Sequence, residues 1–187
     1  MSPALEGTIE SQLAARAPQA VAALGEILRG RFGHHALAVL FYGSCRRAND
    51  DSGGLVDLYV LVDGYRAAHG NLLSAFANWL LAPNVYYLET PFAGRVARAK
   101  YAVVSMDQFE RGTTRWFHPY LWGRFAQPCG LLFAVDEQAR RRIVRALSGA
   151  IATFAARTLP RLPAEFDAEA LWTRGLQLTY AAELRSE

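Results

Sequence analysis

An aspartate inside an apolar run is the sequence feature that most constrains this chain. Residues 55–62 read LVDLYVLV, and their length and composition predict a buried β-strand that contains Asp57. A buried carboxylate without a partner is costly, so such a residue is usually paired or functional. Asp57 is therefore the first candidate for a functional residue.

A second apolar run comes before this strand and ends in a turn. Residues 36–42 (ALAVLFY) predict another buried strand, and Gly43-Ser44 follows it directly. Gly43 lets the backbone approach a phosphate without interference from a Cβ atom, and Ser44 and the amides after it can donate hydrogen bonds to phosphate oxygens. A strand ending in Gly-Ser, a loop and a strand with an acid are together typical of the polymerase-β-like nucleotidyltransferase core, where the acid holds Mg²⁺ at a triphosphate.

The usual core carries a second acid two residues after the first, on the same face of the strand. Here that position is Tyr59. Asp63 is separated from Asp57 by an even number of positions, so both lie on the same face if the strand stays regular. Asp63 nevertheless lies roughly 20 Å further along the strand at about 3.3 Å per residue, so sharing a metal with Asp57 requires a bend. The metal ligands predicted are Asp57 and Asp63. Other candidate acids are Asp50, Asp51, Glu89 and Asp107.

The rest of the chain predicts an α+β fold, with a mixed sheet in a nucleotidyltransferase core and helices after it. Predicted helices cover 9–28 (with a start signal at Pro18 and an end at Gly30 and Gly33), 67–81, a broken segment from Asp107 as N-cap to Arg124, 137–158 and 167–184. Further predicted strands cover 85–88, 95–105 and 131–135, the first two as a hairpin through 91–94. The predicted domains are a core over 1–135 and a helical extension over 136–187, packed on or beside that core.

Composition limits the class of protein and its partners. The chain has 187 residues, of which 52% are hydrophobic, so it can bury a sizeable core. A net charge of +3 and a pI of about 9.1 permit an anionic partner such as a nucleotide, a phospholipid headgroup or RNA. Two cysteines at unrelated spacing indicate neither a disulfide framework nor a zinc site. We see no signal-peptide pattern and no apolar stretch of membrane-spanning length, so we expect a cytoplasmic protein, soluble or on a membrane surface.

A series of short segments runs in one order from about Leu40 to Arg185. The segments are Tyr42-Gly43-Ser44, Val56-Asp57-Leu58, Val85-Tyr86-Tyr87, Lys100-Tyr101-Ala102-Val103, the set Trp116, Tyr120, Gly123, Arg124 and Pro128, and the set Leu162-Pro163, Phe166, Tyr180 and Arg185. Together they resemble the mitochondrial-type phosphatidate cytidylyltransferase family, the translocator assembly and maintenance proteins of mitochondria. Lys100, the only lysine in the chain, falls where the core strand of that family carries one.

The resemblance implies an activity and a set of site residues. Such enzymes join CTP to phosphatidic acid, giving CDP-diacylglycerol and pyrophosphate, with Mg²⁺ as cofactor. The catalytic residues it implies are Asp57, which would hold metal, and Lys100, which would neutralise phosphate charge. The nucleotide-binding residues it implies are Tyr42, Gly43, Ser44, Tyr86 and Arg124. The residues it implies for substrate phosphate are Arg124, Arg185 and His69.

The predicted partners are CTP, phosphatidic acid and an anionic membrane surface, with a homodimer also considered and no nucleic acid expected. We expect a peripheral position on the inner membrane. Two alternatives stay open from the residues alone. One is a nucleotidyltransferase that acts on a protein, a tRNA or a small molecule. The other is a non-catalytic nucleotide-binding protein, because Tyr59 stands where the second acid is expected.

Overall fold

A computed structural model of the chain describes residues 2–43, 54–66 and 84–182. The helices in these ranges are α1 (Pro3–Leu13), α2 (Gln19–Phe32), α3 (Met106–Thr114), α4 (Trp122–Phe125), α5 (Glu137–Thr158) and α6 (Ala168–Ala181). The strands are β1 (Ala36–Tyr42), β2 (Leu55–Val62), β3 (Asn84–Phe92), β4 (Arg95–Ser105) and β5 (Gly130–Ala134). None of the described helices is both long and apolar enough to cross a membrane.

The five strands form one mixed sheet in the order β3-β4-β2-β1-β5. Strands β2 and β4 are parallel, and the other neighbours are antiparallel. The predicted α+β fold, with a mixed sheet and helices at its C-terminal side, is therefore confirmed. The register aligns Tyr42 with Asp57 and Asp57 with Lys100, so three residues from three strands stand in one row on one face of the sheet.

Both faces of the sheet are covered by helices, which is why β1 and β2 read as continuous apolar runs. On one face Val56, Leu58 and Val60 pack against α2, in a cluster that includes Leu24 and Leu28. The opposite face carries Tyr59 and Leu61 and packs against the second helical layer, whose buried side chains include Ile9, Leu13, Phe109, Phe125, Ile143, Leu147 and Phe154. Asp57 lies on this second face and is only half-buried.

Most of the predicted elements are present, with local corrections. Strands β1 and β2, helix α5 and the β3–β4 hairpin are confirmed. Asp107 is not an N-cap: the hydroxyl of Ser105 accepts from the backbone N–H of Gln108 at 3.3 Å, so the cap lies two residues earlier and α3 begins at Met106. Gly30 lies inside α2, which ends at Gly33 with φ of +55°. The helical region predicted over 9–28 is divided between α1 and α2, and the helix predicted over 67–81 lies outside the described residues.

Helix α5 is fixed to the rest of the fold by charge as well as by packing. The carboxylate of Asp136 caps it by accepting from the N–H of Ala139 at 2.7 Å. Arg142 donates to both carboxylate oxygens of Glu110 at 2.8 Å and to Asp107 at 2.7 Å, which ties α5 to α3. Helix α5 contacts β1 and β5, so it packs directly on the sheet. The domain boundary at residue 135 remains a prediction.

Candidate active site

A cavity of about 230 Å³ opens at the end of β2 that carries Asp57. Side chains from strands β1, β2, β3 and β4 line this cavity, and the segment that leads into α4 closes one side. The lining residues are Tyr42, Asp57, Leu58, Tyr59, Val85, Lys100, Ala102, Tyr120 and Arg124. The tertiary structure thus brings together Tyr42, Asp57, Lys100 and Arg124, which the sequence singled out from separate segments.

Asp57 lies near two cationic side chains. Burial raises the pKa of its carboxyl, and the charges of Arg124 and Lys100 oppose that rise. Lys100 is its direct cross-strand neighbour on β4 and is exposed to solvent. The site therefore combines one half-buried carboxylate with two cations, an arrangement suited to a ligand that brings phosphate groups and a metal ion together.

Glycine occupies position 43 for a structural reason that involves Asp57 directly. Its φ is +83°, a backbone conformation that side-chain-bearing residues rarely adopt. A Cβ atom at this position would lie 2.9 Å from Oδ2 of Asp57. The glycine thus leaves room for the carboxylate as it turns the chain at the end of β1, which links the two motifs first identified in the sequence.

Replacing Gly43 with alanine is expected to disturb Asp57 and to lower activity by about 10-fold or more. The left-handed conformation alone costs a non-glycine residue about 1–2 kcal/mol, so we also expect a lower melting temperature. Pyrophosphate release and thermal denaturation measure the two effects. Gly94 also has a positive φ, +78°, but a Cβ atom there would meet no other group within 4 Å, so Gly94→Ala is the matched control and should lose stability without losing activity.

Arg124 is surrounded by the rings and hydroxyls of tyrosines. Its Nη1 donates a hydrogen bond to the hydroxyl of Tyr59 at 3.0 Å. Its guanidinium carbon lies 4.4 Å from the centre of the Tyr120 ring and 5.3 Å from that of Tyr42. Burial disfavours its charge, but the three neighbouring phenol groups hold the pKa of Arg124 above its ordinary value, so it remains a cation.

Two predicted site residues lie away from this cavity. Tyr86 pairs with Tyr101 on the opposite face of the sheet, where the two rings stack at 5.3 Å. Successive side chains of a strand point to opposite faces, and Tyr101 directly follows Lys100, so this pair faces away from the cavity. Asp63 follows the far end of β2, and its carboxylate lies 2.9 Å from Nδ1 of His35. The structure therefore does not bring Asp63 to Asp57. Ser44, His69 and Arg185 lie outside the described residues.

The donor set around Asp57 bears on the metal that the resemblance implies. In the described ranges no group of three or more His, Cys, Asp or Glu side chains could hold a metal ion. Mg²⁺, however, is usually held by one or two carboxylates together with substrate phosphates, and it keeps several waters. One carboxylate in a cavity that also holds two cationic side chains fits Mg²⁺ that arrives with a nucleotide. It does not fit a metal held by the protein alone.

The sequence interpretation gave no role to Tyr59 and Tyr120, although both line the cavity. Tyr59 lies two residues after Asp57 in the sequence, and this spacing indicated that the two side chains share one face of the strand. Nothing in the sequence indicated that α4 would bring Arg124 to the Tyr59 hydroxyl, because the two residues are 65 positions apart.

Comparison with known proteins identifies one family. No curated protein matches the chain. The sequence profile of one family, described as "Phosphatidate cytidylyltransferase, mitochondrial", matches residues 64–187, which is more than half of the chain and includes Lys100, Tyr120 and Arg124. The chain therefore belongs to the family of mitochondrial phosphatidate cytidylyltransferases, which are nucleotidyltransferases.

Proposed function

We propose that this chain transfers the cytidylyl group of CTP to phosphatidate in the cavity around Asp57, with Mg²⁺ as cofactor. The observation that carries the proposal is the row of Tyr42, Asp57 and Lys100 across three strands. In that row a carboxylate stands beside the only lysine of the chain and close to the partly buried charge of Arg124.

Both substrates are polyanions, so their mutual repulsion opposes the reaction. Lys100 supplies a compact positive charge at the exposed edge of the cavity, and Arg124 supplies a planar guanidinium in its interior. Fixed cations of this kind lower the cost of bringing phosphate groups together and stabilise charge that develops during transfer. We assign both residues to substrate phosphates.

The reaction joins two phosphates and balances without proton transfer. A phosphate oxygen of phosphatidate attacks the α-phosphorus of CTP and forms a new phosphorus–oxygen bond. The bond from the α-phosphorus to the bridging oxygen breaks, and pyrophosphate leaves. A phosphate monoester has a second pKa of about 6, so the acceptor is largely dianionic at neutral pH and needs no general base. A hydroxyl acceptor on a protein or tRNA would need one.

This chemistry explains how Asp57 can serve without a second carboxylate among the described residues of the cavity. Mg²⁺, when bound, would neutralise charge on the triphosphate and on the departing pyrophosphate. Asp57 is the described residue that would hold it, and Lys100 and Arg124 would hold the phosphates on either side. Tyr42 and Gly43 would position the chain turn beside them.

Labelled CTP tests the proposal directly. Purified protein given CTP, phosphatidic acid and Mg²⁺ should release pyrophosphate and form CDP-diacylglycerol, and omission of Mg²⁺ should stop both. ATP in place of CTP, and diacylglycerol, tRNA or protein in place of phosphatidate, serve as controls. Release with one of those acceptors, and never with phosphatidate, would overturn the assignment of phosphatidate as the acceptor and keep the nucleotidyl transfer.

We further propose that the protein works on an anionic membrane surface, on the cytoplasmic side of the inner membrane. Its acceptor lipid resides in a bilayer, and the side chain of Phe117 is 87% exposed beside a second cavity of about 470 Å³. Arg157 and Arg161 line that cavity, so apolar and cationic groups occur together.

Phe117→Ser is expected to weaken binding to vesicles that contain phosphatidic acid by several-fold, because an exposed aromatic ring contributes apolar area at a bilayer surface. Co-sedimentation with such vesicles, against neutral phosphatidylcholine vesicles, measures the effect. Turnover of a short-chain, water-soluble phosphatidate should stay within about two-fold. Equal binding of the variant and the parent to anionic vesicles would remove Phe117 from the contact.

A homodimer is the remaining partner that we propose. Strand β3 is an edge of the sheet in the described part of the chain, and it exposes Val85 and Tyr87. Exposed edge strands with apolar side chains can pair with a second copy. Sedimentation velocity should give the mass of two chains, and the mass of one chain at micromolar concentration would contradict the proposal.

A further inference from the structure

Tyr59 forms the floor of the cavity and is almost completely buried, with 1% of its surface exposed. It lies two residues after Asp57 and on the same face of β2. Its ring packs edge-on against Phe125 at 4.9 Å and beside Tyr42 at 5.6 Å. Its hydroxyl is directed at Arg124, from which it accepts a hydrogen bond at 3.0 Å.

Three tyrosines from three parts of the fold meet at this one guanidinium. Tyr42 comes from β1, Tyr59 from β2 and Tyr120 from the segment before α4. An arginine side chain has many rotamers in solution, and ordering it on ligand binding is entropically costly. Contacts that fix Arg124 before the ligand arrives remove that cost, and they set the plane of its hydrogen-bond donors.

The chemical identity of the residue at position 59 matters for the charge in the cavity. A carboxylate there would lie against Arg124, and the resulting ion pair would cancel the positive charge that a phosphate ligand needs. The ordinary pKa of a tyrosine hydroxyl is about 10, so such a group is neutral at physiological pH. A neutral hydroxyl orients the guanidinium and leaves its charge in place.

We propose that Tyr59 is a positioning residue: its hydroxyl holds Arg124 in the orientation that binds substrate phosphate, and β2 carries a tyrosine there instead of a second carboxylate for that reason. The inference rests on the proposed function only in taking the cavity as a binding site for CTP. It predicts that Arg124 acts as a fixed cation next to the single carboxylate of the strand.

Tyr59→Phe removes the hydroxyl and keeps the ring that packs against Phe125. Loss of a hydrogen bond to a charged group corresponds to about 10- to 100-fold, and we expect a loss of that size in the affinity for CTP and in kcat/KM. Isothermal titration with CTP measures the affinity, and pyrophosphate release measures kcat/KM.

The opposite face of the sheet offers a matched control. There the hydroxyl of Tyr101 accepts a hydrogen bond from Nη1 of Arg31 at 2.6 Å, and Tyr101 is also buried, with 4% exposed. Tyr101→Phe therefore removes the same kind of interaction at a distance from the cavity. It should change thermal stability about as much as Tyr59→Phe, yet leave CTP affinity and turnover within about two-fold.

A double-mutant cycle separates positioning from packing. In the background of Arg124→Met, Tyr59→Phe should cause no further loss of CTP affinity, because the group that Tyr59 orients is gone. An equal loss in both backgrounds, or CTP affinity and turnover within two-fold of the parent for Tyr59→Phe, would overturn the inference. If the parent binds CTP but makes no CDP-diacylglycerol from phosphatidate, the proposed acceptor is wrong, and the coupling is still measured from CTP affinity.

Discussion

Asp57→Asn should lower pyrophosphate release from CTP and phosphatidate by about 10³-fold, because the proposed metal ligand and the only negative charge among the described cavity residues are both lost. Asparagine has nearly the same shape, so the surrounding packing should persist. A variant that retains more than a tenth of the parent rate would exclude Asp57 from the chemistry.

Stability provides a second readout for the same variant. The pKa of Asp57 is raised in the folded state from the ordinary value of 3.8, chiefly by burial, so the native protein holds this proton more tightly than the unfolded chain does. The contribution of this carboxyl group to the free energy of unfolding is fully present below pH 3.8, and it is lost as the pH rises through the folded-state pKa. The asparagine side chain cannot ionise, so at pH 7 the variant should melt no lower than the parent, and up to about 2–4 °C higher for each 1 kcal/mol recovered.

Metal binding is read from the same melting curves. CTP with Mg²⁺ should raise the melting temperature of the parent more than CTP alone does, because the ligand binds only the folded state. Asp57→Asn should abolish the increment due to Mg²⁺ and keep part of the increment due to CTP. An unchanged Mg²⁺ increment would place the metal ligand elsewhere in the chain.

Lys100→Met should lower kcat/KM for CTP by about 10²-fold, since it removes a positive charge beside the phosphates while keeping the length of the side chain. Lys100→Arg should recover part of this loss, because charge is restored with a different geometry. Lys100 also lowers the pKa of Asp57. Its removal should therefore move the acidic limb of the pH–activity profile to higher pH, because a higher pH is then needed to ionise the carboxylate.

Arg98→Met is the matched control for Lys100→Met. Arg98 lies two residues earlier on β4, on the same face, and it is aligned with Leu55 instead of Asp57. Its exposed ion pair with Glu89 is long, at 3.8 Å, so its removal should cost little stability. Activity should remain within about two-fold. A similar loss of activity in both variants would mean that the general positive field, and not the position of Lys100, assists the reaction.

The site could be predicted in part because its key residues are unusual where they stand. Asp57 interrupts an apolar strand, and Lys100 is the only lysine of the chain, so each was visible without a structure. Tyr86 was assigned to the nucleotide because it belongs to a matching segment. Its side chain lies on the other face of the sheet, and register, which segment matching does not specify, decides that face.

The sequence by itself determined the strands β1 and β2, helix α5 and the turn at Gly43, because the hydrophobic period and the conformations open to glycine are local properties. Only the tertiary structure decided which charged and aromatic groups share a cavity. The parallel pairing of β2 with β4 sets Asp57 beside Lys100, and the packing of α4 sets Arg124 against Tyr59. Such contacts depend on the register and docking of segments far apart in the chain, and local patterns carry no information about either.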